Sequence, residues 1–310
     1  MSLVAPILIV MFTWWIGTGM VLYLQQRIPL VRTPLILSLL AFTVASLCAM
    51  VLSASGTQAW QSYMGFVGAI VLWGCIELSY YTGLIGGVHM RSCPDNCNNG
   101  KRFRLALGAS IWHEVSVLLA GGVILTLLHD AVNTTALYSF LVLWLMRWSA
   151  KLNLFFGMPN FNTDWFPKRL AYAHSYIRRS PVTWFFPLSV FVASMVATHL
   201  ISTALSLPPE QSLMMILPGM LLLLAILEHV FMALPIADSE LWNRIFACDD
   251  SELQFIDDNA NANRLKEESS KRIHERTQAR IHKVITVSTD QTVSVTLNPV
   301  DATATHSTSQ

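Results

Sequence analysis

The stretch TALYSFLVLWLMRWSAKLNLFFG, residues 135–157, is long and apolar enough to cross a membrane as one helix, yet it contains Arg147 and Lys151. A spanning helix needs about 20 mostly apolar residues. Each charge near the middle of the bilayer costs about 2.5–3.5 kcal/mol. Arg147 and Lys151 are four residues apart and share one helix face. The stretch therefore predicts a membrane helix whose cations face inward and meet carboxylates of neighbouring helices.

The composition of the whole chain indicates the same class. Only 13% of the 310 residues are charged and 53% are hydrophobic, whereas about 25% of a soluble domain is charged. Backbone polar groups in lipid must be paired internally, so apolar runs of this length predict α-helices and not barrel strands. The first run lacks a basic n-region and a small-x-small cleavage site, so we expect it to be retained. The predicted spans are residues 3–24, 35–54, 64–88, 105–128, 135–157, 184–207 and 213–234.

These spans predict an all-α, polytopic bundle of about seven transmembrane helices in residues 1–245. A polar tail, residues 246–310, is expected to be partly helical and then disordered. Loops that carry Arg or Lys alternate along the chain with loops that carry neither. The positive-inside rule then places the N-terminus outside and the C-terminus in the cytoplasm.

The charged and imidazole side chains inside the spans are the main candidates for a site. At 1.5 Å per residue, the charged ones all fall in the cytoplasmic half of the membrane, where four helices bring opposite charges to one layer. Asn153 points away from the two cations, and its amide is expected to bond backbone groups freed at the break over residues 157–159. A lone intramembrane histidine, His199, is expected to be packed and hydrogen-bonded. The candidate residues are Glu77, His113, Glu114, Arg147, Lys151, Glu228 and His229.

Two interpretations of this set remain open. The first is a structural salt-bridge network that fixes the helix arrangement. The second is a ligand site, since three carboxylates and two histidines are the ligand types of a di-metal (iron or manganese) centre in a helix bundle. Such centres use Glu-x-x-His, whereas here the pairs His113–Glu114 and Glu228–His229 are adjacent and lie about 100° apart around the helix. Histidine can alternatively ligate the magnesium of a chlorin or relay protons.

The third loop, HMRSCPDNCNNG, residues 89–100, offers a weak metal candidate. His89, Cys93 and Cys97 are equally spaced, but a structural zinc site requires four ligands. The alternative is a turn with free thiols. Because this loop is predicted to face the reducing cytoplasm, we do not expect a disulfide framework. In the preceding segment, Gly83 and Gly87 either allow close helix approach or loosen the end of the third span.

The segment 158–181 combines aromatic and basic residues, which indicates an interfacial helix on the cytoplasmic face that contacts lipid or a partner. The chain contains no P-loop, dinucleotide fingerprint, HExxH motif or serine-hydrolase elbow. Its basic loops are explained by membrane topology, so we expect no nucleic-acid partner.

The block LVLWLMRWSAKLNLFFGMPNFNTDWFPKRLAYAHSYIRR, residues 141–179, resembles the signature block of the photosynthetic complex assembly protein 2 family, also called PuhE. WGCIELSYYTG, the CPDNC loop with KRFRLAL, IWHEVS and LEHVFMALPIADSELW match the same family, and the resemblance spans roughly residues 10–245. The intramembrane polar residues fall on the family's polar positions. At Ile76 the family commonly has a histidine, so a site built on three His–Glu pairs would lack one ligand here.

The resemblance implies a protein of the bacterial cytoplasmic (inner or intracytoplasmic) membrane in phototrophs that use bacteriochlorophyll. It implies a factor for assembly of the reaction centre and light-harvesting complex, or for bacteriochlorophyll supply. Implied partners are the subunits of these complexes and pigment-synthesis enzymes, and no catalytic activity comes with the family. As an assembly factor the chain would hold or hand over a bacteriochlorin, with His113 or His229 as candidate magnesium ligand, or dock on photosynthetic subunits through residues 158–181. The alternatives are a di-metal oxidase or oxygenase acting on a tetrapyrrole or lipid-soluble substrate, and a transporter with a proton relay.

Overall fold

The computed structural model describes residues 3–27, 32–88, 91–94, 97–159 and 168–234. These ranges contain α-helices and one 3₁₀ helix, Lys168–Tyr176, and no β-strand. His89, Trp165, Phe166 and the predicted tail lie outside the described residues, and so does the predicted boundary between residues 245 and 246. The α-helices are α1 Val4–Arg27, α2 Arg32–Ser53, α3 Ala59–Tyr81, α4 Asn99–Ala109, α5 Ile111–Leu127, α6 Thr135–Phe156, α7 Phe185–Ser206 and α8 Pro209–Ala233.

Within the described ranges, five helices are long and apolar enough to cross a membrane: α1, α2, α3, α7 and α8. The pair α4 and α5 makes a sixth if it counts as one span. Helix α6 is 22 residues long. Arg147, Lys151 and Asn153 lower its mean hydropathy, so α6 is not among these apolar helices. The described part of the chain is therefore all-helical, as expected for a multi-pass membrane protein, with five or six helices of this kind. The predicted number of about seven spans, which includes α6, stays a prediction.

The third helix ends at Tyr81, seven residues before the end predicted from the sequence. Thr82 is the C-cap, and Gly83 follows with φ of 72°. The amide of Gly83 bonds Tyr80 O at 3.0 Å, and the amide of Leu84 bonds Ser79 O at 2.9 Å. This is the pattern of a Schellman motif, in which glycine takes the left-handed position at low cost. Gly83 thus ends the helix.

The predicted span 105–128 is broken, because α4 and α5 meet at an angle of 61°. Ser110 stands at the break, and Val88 N donates to Gly108 O at 2.9 Å just before it. A Cβ on Gly87 would overlap the backbone of Ala109, so glycine permits this close approach. Arg102 of α4 donates from Nη2 to Phe155 O at 2.9 Å and lies over the Phe155 ring. These contacts hold α4 against the end of α6 and turn it away from the axis of α5.

Helix α3 is the centre of the bundle, since it contacts α1, α2, α5, α6 and α8. Helix α7 lies at the edge and packs mainly on α8. Ala193, Ala197 and Ala204 are the small buried residues of that packing face. His199 lies on the opposite face of α7 and is exposed. The sequence predicted a packed histidine there, but the alanines and not His199 face α8.

Candidate functional site

The two cations of α6 pair with two carboxylates from different helices. Arg147 Nη2 lies 2.9 Å from Glu77 Oε2 of α3 and donates to the Tyr81 hydroxyl at 3.0 Å. One turn later, Lys151 Nζ donates to Glu114 Oε1 of α5. The i, i+4 spacing of the cations along α6 therefore serves two neighbouring helices at two levels.

His113 of α5 connects the two ion pairs. Its Nε2 lies 3.5 Å from Glu77 Oε1, and its Nδ1 lies 3.4 Å from Glu114 Oε1. The ring packs against Tyr80 with 5.0 Å between centroids, and the side chain is 1% exposed. We call the set Arg147, Glu77, His113, Glu114 and Lys151 the polar network. It ties α3, α5 and α6 together in the middle of an apolar bundle.

The polar network balances its own charge. With a neutral imidazole, the two cations offset the two carboxylates, and this lowers the cost of placing them in hydrocarbon. The carboxylates are the more buried partners: the Glu77 and Glu114 side chains are 9% and 8% exposed, against 31% for Arg147 and 28% for Lys151. Glu77 Oε1 and His113 Nε2 face each other, but neither makes a hydrogen bond.

Glu228 and His229 of α8 do not join the polar network. Glu228 accepts a hydrogen bond from Trp14 Nε1 of α1. His229 Nδ1 lies 2.9 Å from Ala225 O, which requires an Nδ1–H donor, and Nε2 then accepts from the Ser149 hydroxyl at 3.0 Å. The adjacent side chains point to different neighbours, as the 100° step of a helix requires.

Asn153 is fully buried and pairs with no charged group in the described residues. Its Nδ2 donates to Ser149 O at 3.0 Å and to Ser189 Oγ of α7 at 3.1 Å. The sequence predicted bonds to backbone freed at residues 157–159. The amide instead reaches one turn back and across to α7, because its side chain points toward the preceding turn of α6.

The predicted metal ligands do not assemble into a metal site. Among the described residues, no group of three or more His, Cys, Asp or Glu side chains could hold a metal ion. The carboxylates of the polar network are held by cations, and Glu228 and His229 are held by Trp14 and Ser149. The structure therefore gives no support to the di-metal interpretation.

The histidines also do not fit the magnesium of a chlorin. His113 is almost fully buried, with a carboxylate near each ring nitrogen. His229 uses both ring nitrogens in hydrogen bonds. A chlorin ligand needs a free nitrogen with open space before it, and neither residue offers both.

Four residues that hydrogen-bond to the candidate site residues were not predicted from the sequence: Tyr81, Ser149, Trp14 and Ser189. Tyr81 lies four residues after Glu77 and so shares its helix face, a signal that was available. Ser149 stands in the same relation to Asn153. Trp14 and Ser189 belong to distant helices, and no spacing in the sequence links them to Glu228 or Asn153.

The loop before α4 differs from its prediction. Cys93 and Cys97 form a disulfide, with their Cα atoms 6.4 Å apart, where free thiols or a zinc site were expected. His89, the third predicted ligand, lies outside the described residues.

We expect Tyr81→Phe to reduce the free energy of unfolding by about 1 kcal/mol, because Arg147 loses one neutral hydrogen-bond partner but keeps Glu77. Chemical denaturation of the detergent-solubilised chain measures the change. Tyr138→Phe, on the same helix as Arg147 but with its hydroxyl outside the polar network, is the matched control. Equal stability of Tyr81→Phe and the control would show that the Tyr81 hydroxyl does not support Arg147.

The sequence of the chain matches a known protein family. The profile described as "Protein of unknown function (DUF3623)" matches residues 1–252. An uncharacterized 30.4 kDa protein in the puhA 5′ region of Rhodobacter capsulatus is 30% identical over 236 residues, which cover 74% of this chain and 86% of the relative. No solved structure matches the chain.

Proposed function

The chain belongs to the DUF3623 family, and we propose from this that it is an integral membrane factor for assembly of the bacterial photosynthetic reaction centre and light-harvesting complex. The relative's position in the puhA 5′ region, a photosynthesis operon region, supports this proposal. The resemblance of residues 141–179 to the photosynthetic complex assembly protein 2 family supports it as well. On this proposal the chain resides in the bacterial cytoplasmic membrane.

The observation that favours a scaffold over an enzyme is the pairing inside the polar network. Each carboxylate of the network is opposed by a cation, and His113 lies between the carboxylates. A network paired in this way fixes three helices relative to one another. Its acids are buried, and its more exposed groups, Arg147 and Lys151, are held in ion pairs. The proposed function therefore depends on surfaces that the rigid bundle presents to photosynthetic subunits or pigment-synthesis enzymes.

The experiment is the membrane absorption spectrum of a deletion strain of the phototrophic host beside its parent and a complemented strain. We expect selective loss of the near-infrared bands of the reaction centre and antenna, with restoration on complementation. Identical spectra would contradict the proposal. Accumulation of an unfinished pigment precursor would contradict it in favour of an enzyme.

Complementation with variants tests the role of the polar network. Glu77→Gln should restore less of the near-infrared absorption than the unaltered chain, because it weakens the link from α3 to α6. Glu210→Gln, an exposed acid at the start of α8, is the matched control and should restore it fully. Immunoblots of the membranes measure the amount of each variant, so that a lower protein level can be told apart from a defect in complex assembly. Equal restoration by both variants would show that the proposed function does not require the polar network.

A further inference from the structure

The disulfide Cys93–Cys97 stands directly before a helix. Asn98 is the N-cap of α4, with its Oδ1 accepting from Lys101 N at 2.8 Å, so Cys97 precedes the cap by one residue. Helix α4 is 11 residues long. The amides of a helix N-terminus carry partial positive charge and favour a thiolate placed beside them.

The sequence around the two cysteines is basic. Arg91 precedes Cys93, and Lys101, Arg102 and Arg104 lie in α4. Arg91, Lys101 and Arg104 are exposed. Residues 89–104 contain one acid, Asp95, against these four cations, and Asp95 lies outside the described residues. Cations near a cysteine favour the reactive thiolate form.

The cysteine loop is docked on the 3₁₀ helix Lys168–Tyr176. The amide of Cys93 donates to Ser175 Oγ at 2.8 Å, and the Tyr176 hydroxyl donates to Arg91 O. Tyr176 is 5% exposed, and burial raises the pKa of its phenol, which keeps it protonated as a donor. The covalent state of the cysteines can therefore act on the segment 168–176 through two hydrogen bonds.

The predicted location of the loop argues against a permanent disulfide. The cations of residues 89–104 predict a cytoplasmic location for this loop by the positive-inside rule. Stable disulfides are rare in that compartment, and those that form there are usually transient and redox-active. The same thiols in an electropositive setting are suited to exchange.

We propose that Cys93 and Cys97 form a reversible thiol–disulfide exchange site whose oxidation fixes the loop against the 3₁₀ helix Lys168–Tyr176. The co-reactants are low-molecular-weight thiols and disulfides of the glutathione class. The site is distinct from the polar network, and its test uses purified protein, so it stands or falls independently of the proposed function.

The exchange proceeds in two balanced steps. The Cys97 thiolate attacks one sulfur of glutathione disulfide, forms a mixed disulfide and releases a glutathione thiolate. The Cys93 thiolate then attacks the Cys97 sulfur and displaces the second glutathione. In total two protein thiols lose two electrons and two protons, and one glutathione disulfide becomes two glutathione molecules.

The first experiment equilibrates the full chain in detergent with glutathione buffers of graded ratio and counts free thiols by mass-tagging with a maleimide. We expect two thiols to disappear together in one two-electron transition between excess glutathione and excess glutathione disulfide. Cys93→Ser and Cys97→Ser should each abolish this transition, while Cys48→Ala, a cysteine within α2, should leave it unchanged. A pair that stays oxidised in excess glutathione, or reduced in excess glutathione disulfide, would overturn the proposal.

The second experiment tests the roles of the two sulfurs and the coupling. In single variants, Cys97 should form the mixed disulfide about tenfold faster than Cys93, because Cys97 lies nearer the N-terminus of α4. Reduction of the unaltered chain should increase hydrogen exchange at the amide of Cys93, which donates to Ser175 Oγ. Ser175→Ala removes that acceptor and should show the faster exchange in either redox state. Equal rates for the two cysteines would overturn the assignment of Cys97 as the attacking group. Exchange that does not respond to reduction would overturn the coupling.

Discussion

Arg147→Leu is expected to lower the free energy of unfolding by about 3 kcal/mol and to abolish complementation of a deletion strain. The substitution leaves the Glu77 carboxylate, whose side chain is 9% exposed, without its cation at 2.9 Å. Removing one partner of a buried ion pair costs about 3–5 kcal/mol, because the remaining charge is desolvated and unpaired. We take the lower limit because His113 remains near Glu77. Chemical denaturation in detergent measures the loss.

The matched control is the double variant Arg147→Leu with Glu77→Leu, which removes both charges. It should recover most of the lost stability, since apolar replacement of a whole buried pair is often neutral. Glu77→Leu by itself should cost less than Arg147→Leu, because the cation left behind is 31% exposed and can move toward a more polar region. If both single variants cost the same, or the double variant is the least stable of the three, the pairing does not stabilise the fold as described.

Gly157→Ala is expected to lower the free energy of unfolding by about 2 kcal/mol and to detach the segment after the 3₁₀ helix from α6. Gly157 caps α6 with φ of 142°, a conformation that other residues reach at a cost of about 1–3 kcal/mol. A Cβ there would also overlap Ser180 Oγ. The backbone bonds Met158 N to Arg178 O and Arg178 N to Leu154 O, both 3.1 Å, depend on this turn.

Gly122→Ala provides the control for this prediction. Gly122 lies inside α5, and a Cβ there would meet no atom within 4 Å. Alanine favours the helix over glycine by about 1 kcal/mol, so this variant should be as stable as the unaltered chain or more so. Thermal unfolding and trypsin cleavage after Arg178 and Arg179 compare the two variants. Equal destabilisation of both would show that the left-handed turn at Gly157 is not special.

The polar residues of α3, α5 and α6 could be predicted from the sequence. A charge within an apolar span has a high free-energy cost, and its helix face follows from the residue spacing. The i, i+4 spacing of Arg147 and Lys151 predicted a shared face toward carboxylates, and both meet one. The spacing could not reveal which carboxylate each cation meets, since this depends on helix packing. Glu228 shows the limit, because Trp14 lies more than 200 positions away and no local pattern connects them.

The helix ends were harder to anticipate than the helices. Hydropathy extended the predicted third span through residue 88. Gly83 ends the helix earlier, because glycine readily adopts the positive φ of a C-terminal cap. The break at Ser110 depends on contacts with Gly87 and Phe155, which only the folded chain brings together. The disulfide Cys93–Cys97 was not expected, because the basic residues of its loop predict the reducing cytoplasm, where stable disulfides are rare.

The order of the charges along the chain has a consequence for biogenesis. Helix α6 is less hydropathic than the five apolar helices, and its two cations oppose partition into lipid by about 2.5–3.5 kcal/mol each. Glu77 and Glu114 lie on α3 and α5, which are synthesised before α6. Their carboxylates are therefore available as partners when α6 leaves the ribosome. We therefore expect the nascent chain to supply its own counter-ions, so that α6 enters the membrane as the partner of α3 and α5 and not independently.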